Sequence, residues 1–420
     1  MTSESEAYVW IWLPGESSPV VAGRLSTLGP ELVFNYGQSY LARNTAIAIY
    51  DRELPLEPGL HRPLTGLSMP SCIRDASPDA WGRRVLINRK LGKKGKDAEL
   101  DELTYLLESG SDRVGALDFQ RSPAAYVPRS GAQASLAELQ LSAQRIDEGL
   151  PLRPDLDQAL QHGSSLGGAR PKVMLEDDDR KFIAKFSSAS DLYNVVKAEF
   201  IAMRLAARAG LNVAPVELRR ALGKDVLLIQ RFDRSKVGDV WQRRAMVSAL
   251  TLLELDEMMA RYASYPALAE IVRHRFSQPK NTMRELFARI VFNVLCGNTD
   301  DHARNHAAFW DGQHLDLTPA YDICPQARTG NEASQAMLIS EDNRMSQIAA
   351  CLEAAPQFQL GVKDATEIVA HQVVTIRDQW SAVCDEAELS IVDRQVLWQR
   401  QFLNPFAFEQ APAELSALVS

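Results

Sequence analysis

The segment GNTDDHARNH, residues 297–306, gathers two acids, two histidines, an arginine and two asparagines into ten positions. It directly follows an apolar run, ELFARIVFNVLC, that has the character of a core helix. Carboxylate and amide oxygens are preferred ligands of Mg²⁺, and a carboxylate can also accept a proton from a hydroxyl group. The segment therefore has the groups needed for metal-assisted or acid–base chemistry at a helix end.

The spacing of three of these groups narrows the chemistry. Asp300 precedes Asn305 by five residues, and Asp322 follows in LDLTPAYDIC. A kinase catalytic loop likewise places its base five residues before a metal-binding asparagine, with a metal-binding aspartate on a later strand. We therefore predict Asp300 as the catalytic base, and Asn305 and Asp322 as Mg²⁺ ligands.

Two alternatives remain open within the same segment. Asp301 is adjacent to the predicted base and could exchange roles with it. His302 and His306 have the i, i+4 spacing of metal-ligand pairs, so a metal-dependent phosphohydrolase or nuclease using Asp300, Asp301, His302 and His306 is a competing hypothesis. No HExxH motif is present, and we expect His302 to brace the loop by hydrogen bonds and His306 to belong to the next strand.

A triphosphate site is predicted further towards the N-terminus. The Ser/Gly turn HGSSLGGARPK precedes the strand-like run KFIAK, and glycines allow backbone N–H groups to approach phosphate oxygens. Lys185 could anchor the phosphates and pair with Glu199, while VLLIQ followed by RFDR could supply an adenine-binding hinge near Gln230 and Phe232. The candidate ATP-binding residues are Ser164, Ser165, Gly167, Gly168, Ala169, Lys172, Lys185, Glu199, Gln230, Phe232 and Asp322.

Length and composition indicate an ordinary soluble protein with more than one core. The chain has 420 residues, a formal net charge of −8 and five scattered cysteines without a CxxC pair. We expect reduced thiols in a cytoplasmic protein, no signal peptide and no membrane span. The net charge argues against direct DNA binding, although GRRVLINRKLGKKGK, residues 82–96, carries seven basic residues.

The pattern of strands and helices predicts an α+β protein with a two-lobed, protein-kinase-like fold, in which a β-rich N-terminal lobe precedes an all-helical C-terminal lobe. The predicted divisions are 1–120, 121–235 (the ATP-binding subdomain) and 236–420 (the helical catalytic lobe). Two capping boxes are expected at helix starts, one formed by Ser135 with Glu138 and one by Thr282 with Glu285.

Taken in order, these motifs resemble the HipA family of serine/threonine kinase toxins from bacterial toxin–antitoxin modules. The resemblance covers GRLS, FNYGQSYL, PDAWGRR and RVGALDF in the front, then SSLGGARPK, FIAKF, KAEFIAMRLA, QRFDR, NTDDHARNH and LTPAYDICP. It implies the same roles for Asp300, Asn305, Asp322 and Lys185. Ser165 matches the serine that the family autophosphorylates, with Ser164 as an alternative acceptor.

The resemblance also implies a function. It indicates an Mg-ATP-dependent kinase that phosphorylates a cytoplasmic protein, in characterised relatives an aminoacyl-tRNA synthetase, and so inhibits translation and growth. Autophosphorylation at Ser165 would switch the enzyme off, because added negative charge repels ATP. A helix-turn-helix, HipB-like antitoxin is the expected partner, with DNA contacted through it. The alternative is a non-catalytic, kinase-like corepressor that acts with such an antitoxin.

Overall fold

The computed structural model describes residues 4–91, 99–129, 134–148, 150, 170–177, 179–188, 191 and 193–419. The chain forms two compact units, each built from several segments. The first comprises Met1–Ser190, Arg219–Val247 and Phe309–Gln313, and the second comprises Asp191–Leu218, Ser248–Ala308 and His314–Ser420. The division into 1–120, 121–235 and 236–420 stays a prediction.

The strands lie mainly in the first unit. One antiparallel sheet has the order β3-β2-β1-β4, and a second has the order β5-β6-β8-β7, while β9 and β10 form a hairpin. The strands are β1 (Glu6–Ile11), β2 (Val20–Leu28), β3 (Glu31–Tyr36), β4 (Leu117–Gln120), β5 (Lys172–Asp177), β6 (Arg180–Phe186), β7 (Val216–Ala221), β8 (Lys224–Gln230), β9 (Arg234–Val237), β10 (Val240–Arg243), β11 (Ala245–Ser248), β12 (Ala307–Trp310) and β13 (Leu315–Leu317).

Helices of the first unit are short, and those of the second unit include the longest of the described chain. The first unit contains α1 (Gln38–Leu41), α2 (Ser71–Arg74), α3 (Ala80–Leu91), α4 (Glu102–Glu108) and α5 (Leu136–Asp147). The second contains α6 (Val195–Arg208), α7 (Ala249–Leu252), α8 (Tyr265–Arg275), α9 (Pro279–Cys296), α10 (Ile348–Ala354), α11 (Val362–Glu386), α12 (Ile391–Leu397) and α13 (Ala413–Ser416), with 3₁₀ turns at Glu257–Tyr262, Ala303–Asn305, Ala355–Phe358, Pro405–Phe408 and Ala417–Val419.

Helices α3 and α5 cover one face of the second sheet. Phe182, Ala184 and Phe186 alternate along β6 and pack with Trp81 of α3 and Leu139 of α5 in one buried cluster. Because side chains alternate between the two faces of a strand, the intervening residues of β6 lie on the other face. The predicted capping box of α5 is confirmed, since Ser135 and Glu138 exchange side-chain and backbone hydrogen bonds.

A buried network of charges joins the front of the first unit to the end of β8. Arg231 donates to Asp112 at 3.0 Å and to Asp233 at 2.7 Å, and Arg234 donates to Asp112 at 2.9 Å and to Asp233 at 2.9 Å. Lys181 adds a further contact to Asp112 at 3.1 Å. Burial alone would raise the pKa of Asp112, but these three cations outweigh it, so the pKa lies well below its usual range.

The basic strip of residues 82–96 is largely paired where the structure describes it. Arg83 donates to both carboxylate oxygens of Glu102, and Lys90 lies 3.2 Å from Glu108. These pairs give the first part of the strip a structural role on the surface of the first unit. Residues 92–98 lie outside the described range.

The second unit is organised around α9. The core character expected of its apolar run is seen in its buried side chains, which include Phe287, Ile290, Val291, Val294 and Leu295. The capping box predicted for Thr282 and Glu285 is wrong, because α9 begins earlier at Pro279, a residue well suited to the first helical turn. Glu285 instead accepts from Arg289 at 2.9 Å and from the backbone of Asn212 at 3.1 Å.

The predicted α+β class is confirmed, with a strand-rich N-terminal region and a helical C-terminal region. Short strands β12 and β13 accompany the helices of the C-terminal region. Among the described residues, no helix is both long enough and apolar enough to cross a membrane.

Candidate active site

Helix α9 leads directly into the polar segment and ends at a glycine. Gly297 has φ +71, a left-handed conformation that favours glycine at helix ends. A Cβ atom at this position would lie 2.7 Å from the backbone oxygen of Gln401, closer than such atoms can approach. A glycine is therefore required both by the conformation and by the close backbone contact.

Asp301 is the structural centre of the loop that follows. Its Oδ2 accepts from the hydroxyl of Tyr265, from Nδ2 of Asn293 at 2.6 Å and from Nε2 of His306 at 2.9 Å. Only 3% of Asp301 is exposed. Burial would raise its pKa, but the charge and hydrogen bond of His306, together with the hydrogen bond of Tyr265, lower it below the usual range. Asp301 thus has a structural role, because its hydrogen bonds hold the loop in place. This favours Asp300 as the predicted base.

Asp300 differs from its neighbour in exposure and in electrostatics. Its side chain is exposed, and its backbone oxygen accepts from the backbone of His302 at 2.9 Å. Partial desolvation raises the pKa of Asp300, and the nearby carboxylates of Asp322 and Asp301 raise it further, against an opposing effect of His302. A carboxylate with a raised pKa and access to solvent has the properties expected of a general base.

Asn305 and Asp322 are both tied to the segment that carries Asp300. Nδ2 of Asn305 donates to the backbone oxygen of Asp300 at 3.2 Å, which leaves Oδ1 as the oxygen of that amide suited to a metal ion. Asp322 has φ +59, an uncommon conformation for a residue other than glycine, and its backbone oxygen accepts from Asn298 at 3.4 Å. Backbone strain of this kind is concentrated at functional sites.

The two histidines of the segment have separate environments. His306 directly precedes β12, and its Nε2 is bound to Asp301. Nδ1 of His302 is buried without a hydrogen-bond partner among the described residues, so the predicted bracing is not seen at this atom. In the described part of the chain, no group of three or more histidine, cysteine, aspartate or glutamate side chains is arranged to hold a metal ion. The phosphohydrolase or nuclease hypothesis stays a prediction.

In the first unit, the two lysines among the predicted ATP-binding residues are neighbours on adjacent strands. Lys172 of β5 lies opposite Lys185 of β6, on the face of the sheet away from the cluster that contains Phe182. Both lysines are 7% exposed. The two lysine side chains therefore lie side by side on one face of the sheet.

The predicted hinge lies at the end of β8, where Gln230 is the last strand residue and Phe232 comes two residues later. Gln230 lies opposite Phe182, so its side chain is on the face away from Lys185, and only its backbone is suited to contact a base bound on the lysine face. Phe232 packs edge-on against Phe309, with ring centroids 5.9 Å apart. The neighbouring Arg231 is bonded to Asp233 and Asp112, which restrains the hinge.

The remaining predicted ATP-binding residues are Glu199 and those of the Ser/Gly turn. Glu199 is 2% exposed in α6 of the second unit, whereas Lys185 belongs to the first unit, so their pairing stays a prediction. Residues 162–169 of the Ser/Gly turn lie outside the described residues, and these include Ser164, Ser165, Gly167, Gly168 and Ala169.

Sequence reasoning missed three residues that position the loop. Tyr265, Asn293 and Asn298 form the polar support beneath Asp301 and Asp322, and Nδ2 of Asn298 also donates to Oδ1 of Asn293 at 3.0 Å. The signal for Asn293 was present, because a polar amide interrupts the apolar run of α9.

Comparisons with known proteins identify related families. The family described as HipA N-terminal domain matches residues 11–120, and the family described as HipA-like C-terminal domain matches residues 164–380. A putative kinase of Sinorhizobium fredii is 31% identical over 196 residues, which cover 43% of this chain and 46% of the relative. A serine/threonine-protein kinase toxin HipA of Shewanella oneidensis is 26% identical over 186 residues, which cover 38% of this chain and 42% of the relative.

A solved structure extends the similarity to the whole fold. The complex of the Shewanella oneidensis toxin–antitoxin proteins HipA and HipB with operator DNA contains a chain that matches with a TM-score of 0.68, 19% identity and coverage of 98% of this chain and 96% of that chain. This similarity shows a shared kinase-like fold. The matched regions span about half the length of the curated relatives.

Proposed function

The chain belongs to the HipA family, and we propose that it is an ATP-dependent protein serine/threonine kinase. The observation that carries this proposal is the environment of Asp300, an exposed carboxylate with a raised pKa, beside Asp322 and tethered to Asn305. Similarity to proteins named as kinases supports the same reaction class.

In the proposed reaction, a carboxylate oxygen of Asp300 accepts the proton of a serine or threonine hydroxyl. The hydroxyl oxygen forms a bond to the γ-phosphorus of ATP, while the bond from that phosphorus to the bridging oxygen breaks and ADP leaves. A base works best when its pKa is near the operating pH, so the raised pKa of Asp300 improves proton acceptance. Asp301 would hold the loop in place during this step.

Asn305 and Asp322 are the proposed ligands of Mg²⁺. Their amide and carboxylate oxygens match the preference of this ion, and the unfavourable interaction between Asp300 and Asp322 is one that a cation would relieve. When bound, Mg²⁺ would neutralise charge on the phosphates of ATP. Nδ2 of Asn305 would keep its amide oriented through the hydrogen bond to the Asp300 backbone.

Residues of the first unit, together with Glu199 of the second, are proposed to bind ATP. Lys172 and Lys185 would attract its phosphates, the backbone near Gln230 and Phe232 would contact the adenine, and Glu199 would orient Lys185. The remaining proposed contacts come from the Ser/Gly turn, namely Ser164, Ser165, Gly167, Gly168 and Ala169, and Ser165 is the proposed autophosphorylation site that switches the enzyme off.

The proposed biological role is that of a growth-inhibiting toxin. A cytoplasmic protein, of the aminoacyl-tRNA synthetase class by family resemblance, would be the substrate. The match to a HipA–HipB–operator complex supports a HipB-like antitoxin as partner, and the net charge of −8 supports DNA contact through that partner.

Phosphoryl transfer can be tested with the purified chain, Mg²⁺, γ-labelled ATP and a bacterial lysate. We expect label on serine or threonine with the wild type and none with Asp300→Asn. Asp342→Asn is a matched control, because Asp342 is an exposed carboxylate elsewhere in the same unit. Equal labelling by wild type and Asp300→Asn would overturn the assignment, whereas ATP binding without transfer by the wild type would favour the corepressor alternative.

A further inference from the structure

The second unit contains a polar pocket that the proposed reaction does not use. Its volume is about 460 Å³. Two arginines line it, Arg328 from the segment after Asp322 and Arg400 from the turn after α12. The other principal lining residues are Asn331, Asn404, Phe406 and Glu409.

Arg328 is poorly compensated for its degree of burial. Its Nε is buried and has no hydrogen-bond partner among the described residues. The guanidinium lies 5.7 Å from the ring centroid of Phe406, an arrangement that orients it without neutralising its charge. Burial lowers the pKa of Arg328, and no carboxylate opposes this effect. A partly desolvated cation in this state is stabilised by an anionic ligand.

The second arginine of the pocket, Arg400, is more exposed to solvent than Arg328. Arg400 is exposed at the pocket wall, where its backbone oxygen accepts from Asn404 at 2.8 Å. The neighbouring Gln399 has φ +56, an uncommon conformation for a side-chain-bearing residue, which helps shape this turn. Within the described chain, neither Arg328 nor Arg400 forms an ion pair with Glu409, the acidic residue of the lining.

Both walls of the pocket are attached to the end of α9, close in sequence to Asp300. The backbone N–H of Gln326 donates to the oxygen of Gly297 at 3.0 Å, and that of Leu403 donates to the oxygen of Leu295 at 2.7 Å. The backbone of Gln401 packs against Gly297. The pocket is thus built on the same support as the proposed catalytic base.

We propose that this pocket binds an oxyanion, a carboxylate or a phosphate, carried by the protein substrate. Arginine guanidinium groups bind both oxyanions through paired hydrogen bonds, and the amides of the lining add polar contacts. The inference rests on the proposed kinase function and adds to it a subsite that selects substrates with an acidic or phosphorylated residue near the acceptor hydroxyl.

Fluorescence anisotropy without ATP can test the pocket separately from phosphoryl transfer. The probes are fluorescein-labelled nonapeptides with a central serine flanked by glutamates, by phosphoserines or by glutamines. We expect the first or the second to bind the wild type more tightly than the glutamine peptide, and which one binds identifies the oxyanion. Arg328→Gln and Arg400→Gln should each weaken that binding by about tenfold or more, as expected for loss of a charge-assisted hydrogen bond.

Arg284→Gln provides the matched control. Arg284 is exposed on α9, twelve residues before the helix end and therefore about 18 Å away along the axis. Its loss should change binding less than twofold. Arg400→Gln keeps the test valid if Arg328→Gln fails to fold, because Arg400 is exposed. Any one of three results would overturn the proposal. They are equal binding of all three peptides, no binding of either anionic peptide at 1 mM (about −4 kcal/mol), and unchanged binding by Arg400→Gln. Binding through the arginines in a protein that transfers no phosphate would refute only the kinase function.

Discussion

Two adjacent aspartates are expected to respond in opposite ways to the same substitution. Asp301→Asn should destabilise the second unit, because Asp301 accepts three hydrogen bonds at one buried carboxylate oxygen. Asp300→Asn should leave stability unchanged or slightly higher, because Asp300 is exposed and lies near the carboxylates of Asp322 and Asp301.

The size of the Asp301 effect follows from its partners. Removing the charge from a buried, hydrogen-bonded pair typically costs about 3–5 kcal/mol. The asparagine retains one oxygen acceptor, so we expect about 3 kcal/mol, which lowers the melting temperature of a unit of this size by about 6–12 °C. An exposed substitution such as Asp300→Asn should stay within about 0.5 kcal/mol.

Calorimetry combined with hydrogen exchange can measure both effects. Calorimetry gives the melting temperatures, and exchange in peptides from α9 and residues 300–306 assigns the change to the second unit. An Asp301→Asn protein that melts with the wild type would refute the role of Asp301 as a brace. A large loss of stability in Asp300→Asn would show that the two assignments had been reversed.

Three further predictions concern stability. Asp112→Asn should destabilise the first unit by about 3 kcal/mol, since Arg231 and Arg234 lose a shared buried partner. Urea unfolding can test this, with substitution of the exposed Asp239 by asparagine as a control that should have little effect. Burial raises the pKa of Asp233, but the charges of Arg231 and Arg234 outweigh this effect and lower the pKa from 3.8 to about 2. The lowered pKa stabilises the fold by about 2 kcal/mol at neutral pH. Because this folded-state pKa is depressed, the contribution is present above about pH 4 and is lost as the pH falls towards 2; melting temperatures that stay constant over this range would contradict it. Gly297→Ala should cost at least about 1–2 kcal/mol from its left-handed conformation alone, with a further penalty from the contact with Gln401, and unaltered thermal unfolding would refute this.

The sequence predicted the local features well where nearby residues determine them. The capping box of α5 is confirmed because Ser135 and Glu138 are three residues apart. The predicted start of α9 was wrong. Thr282 and Glu285 have the same three-residue spacing as Ser135 and Glu138, but the helix begins earlier, at Pro279. Two competing start signals within one turn cannot be ranked without the contacts of Glu285 with Asn212 and Arg289.

The residues that support the candidate site are brought together by contacts between distant parts of the sequence. They were therefore harder to predict from local sequence patterns. Arg231 and Asp112 are 119 residues apart in the sequence, and the close approach of Gly297 to Gln401 also joins distant positions. The spacing of Asp300 and Asn305 identified the segment and favoured Asp300 as the base, but it left an exchange of roles with Asp301 open. Their difference in burial and partners arises only when Tyr265 and Asn293 fold against the loop.

The central claim is that Asp300 drives phosphorylation of cellular proteins on serine or threonine. The most direct measurement compares the phosphoproteomes of cells that produce the wild-type chain with those that produce Asp300→Asn at equal level. The account predicts phosphorylated serine or threonine sites, including one in the segment that contains Ser165, that are present only with the wild type. Indistinguishable phosphoproteomes, from two proteins shown to be equally folded, would contradict it.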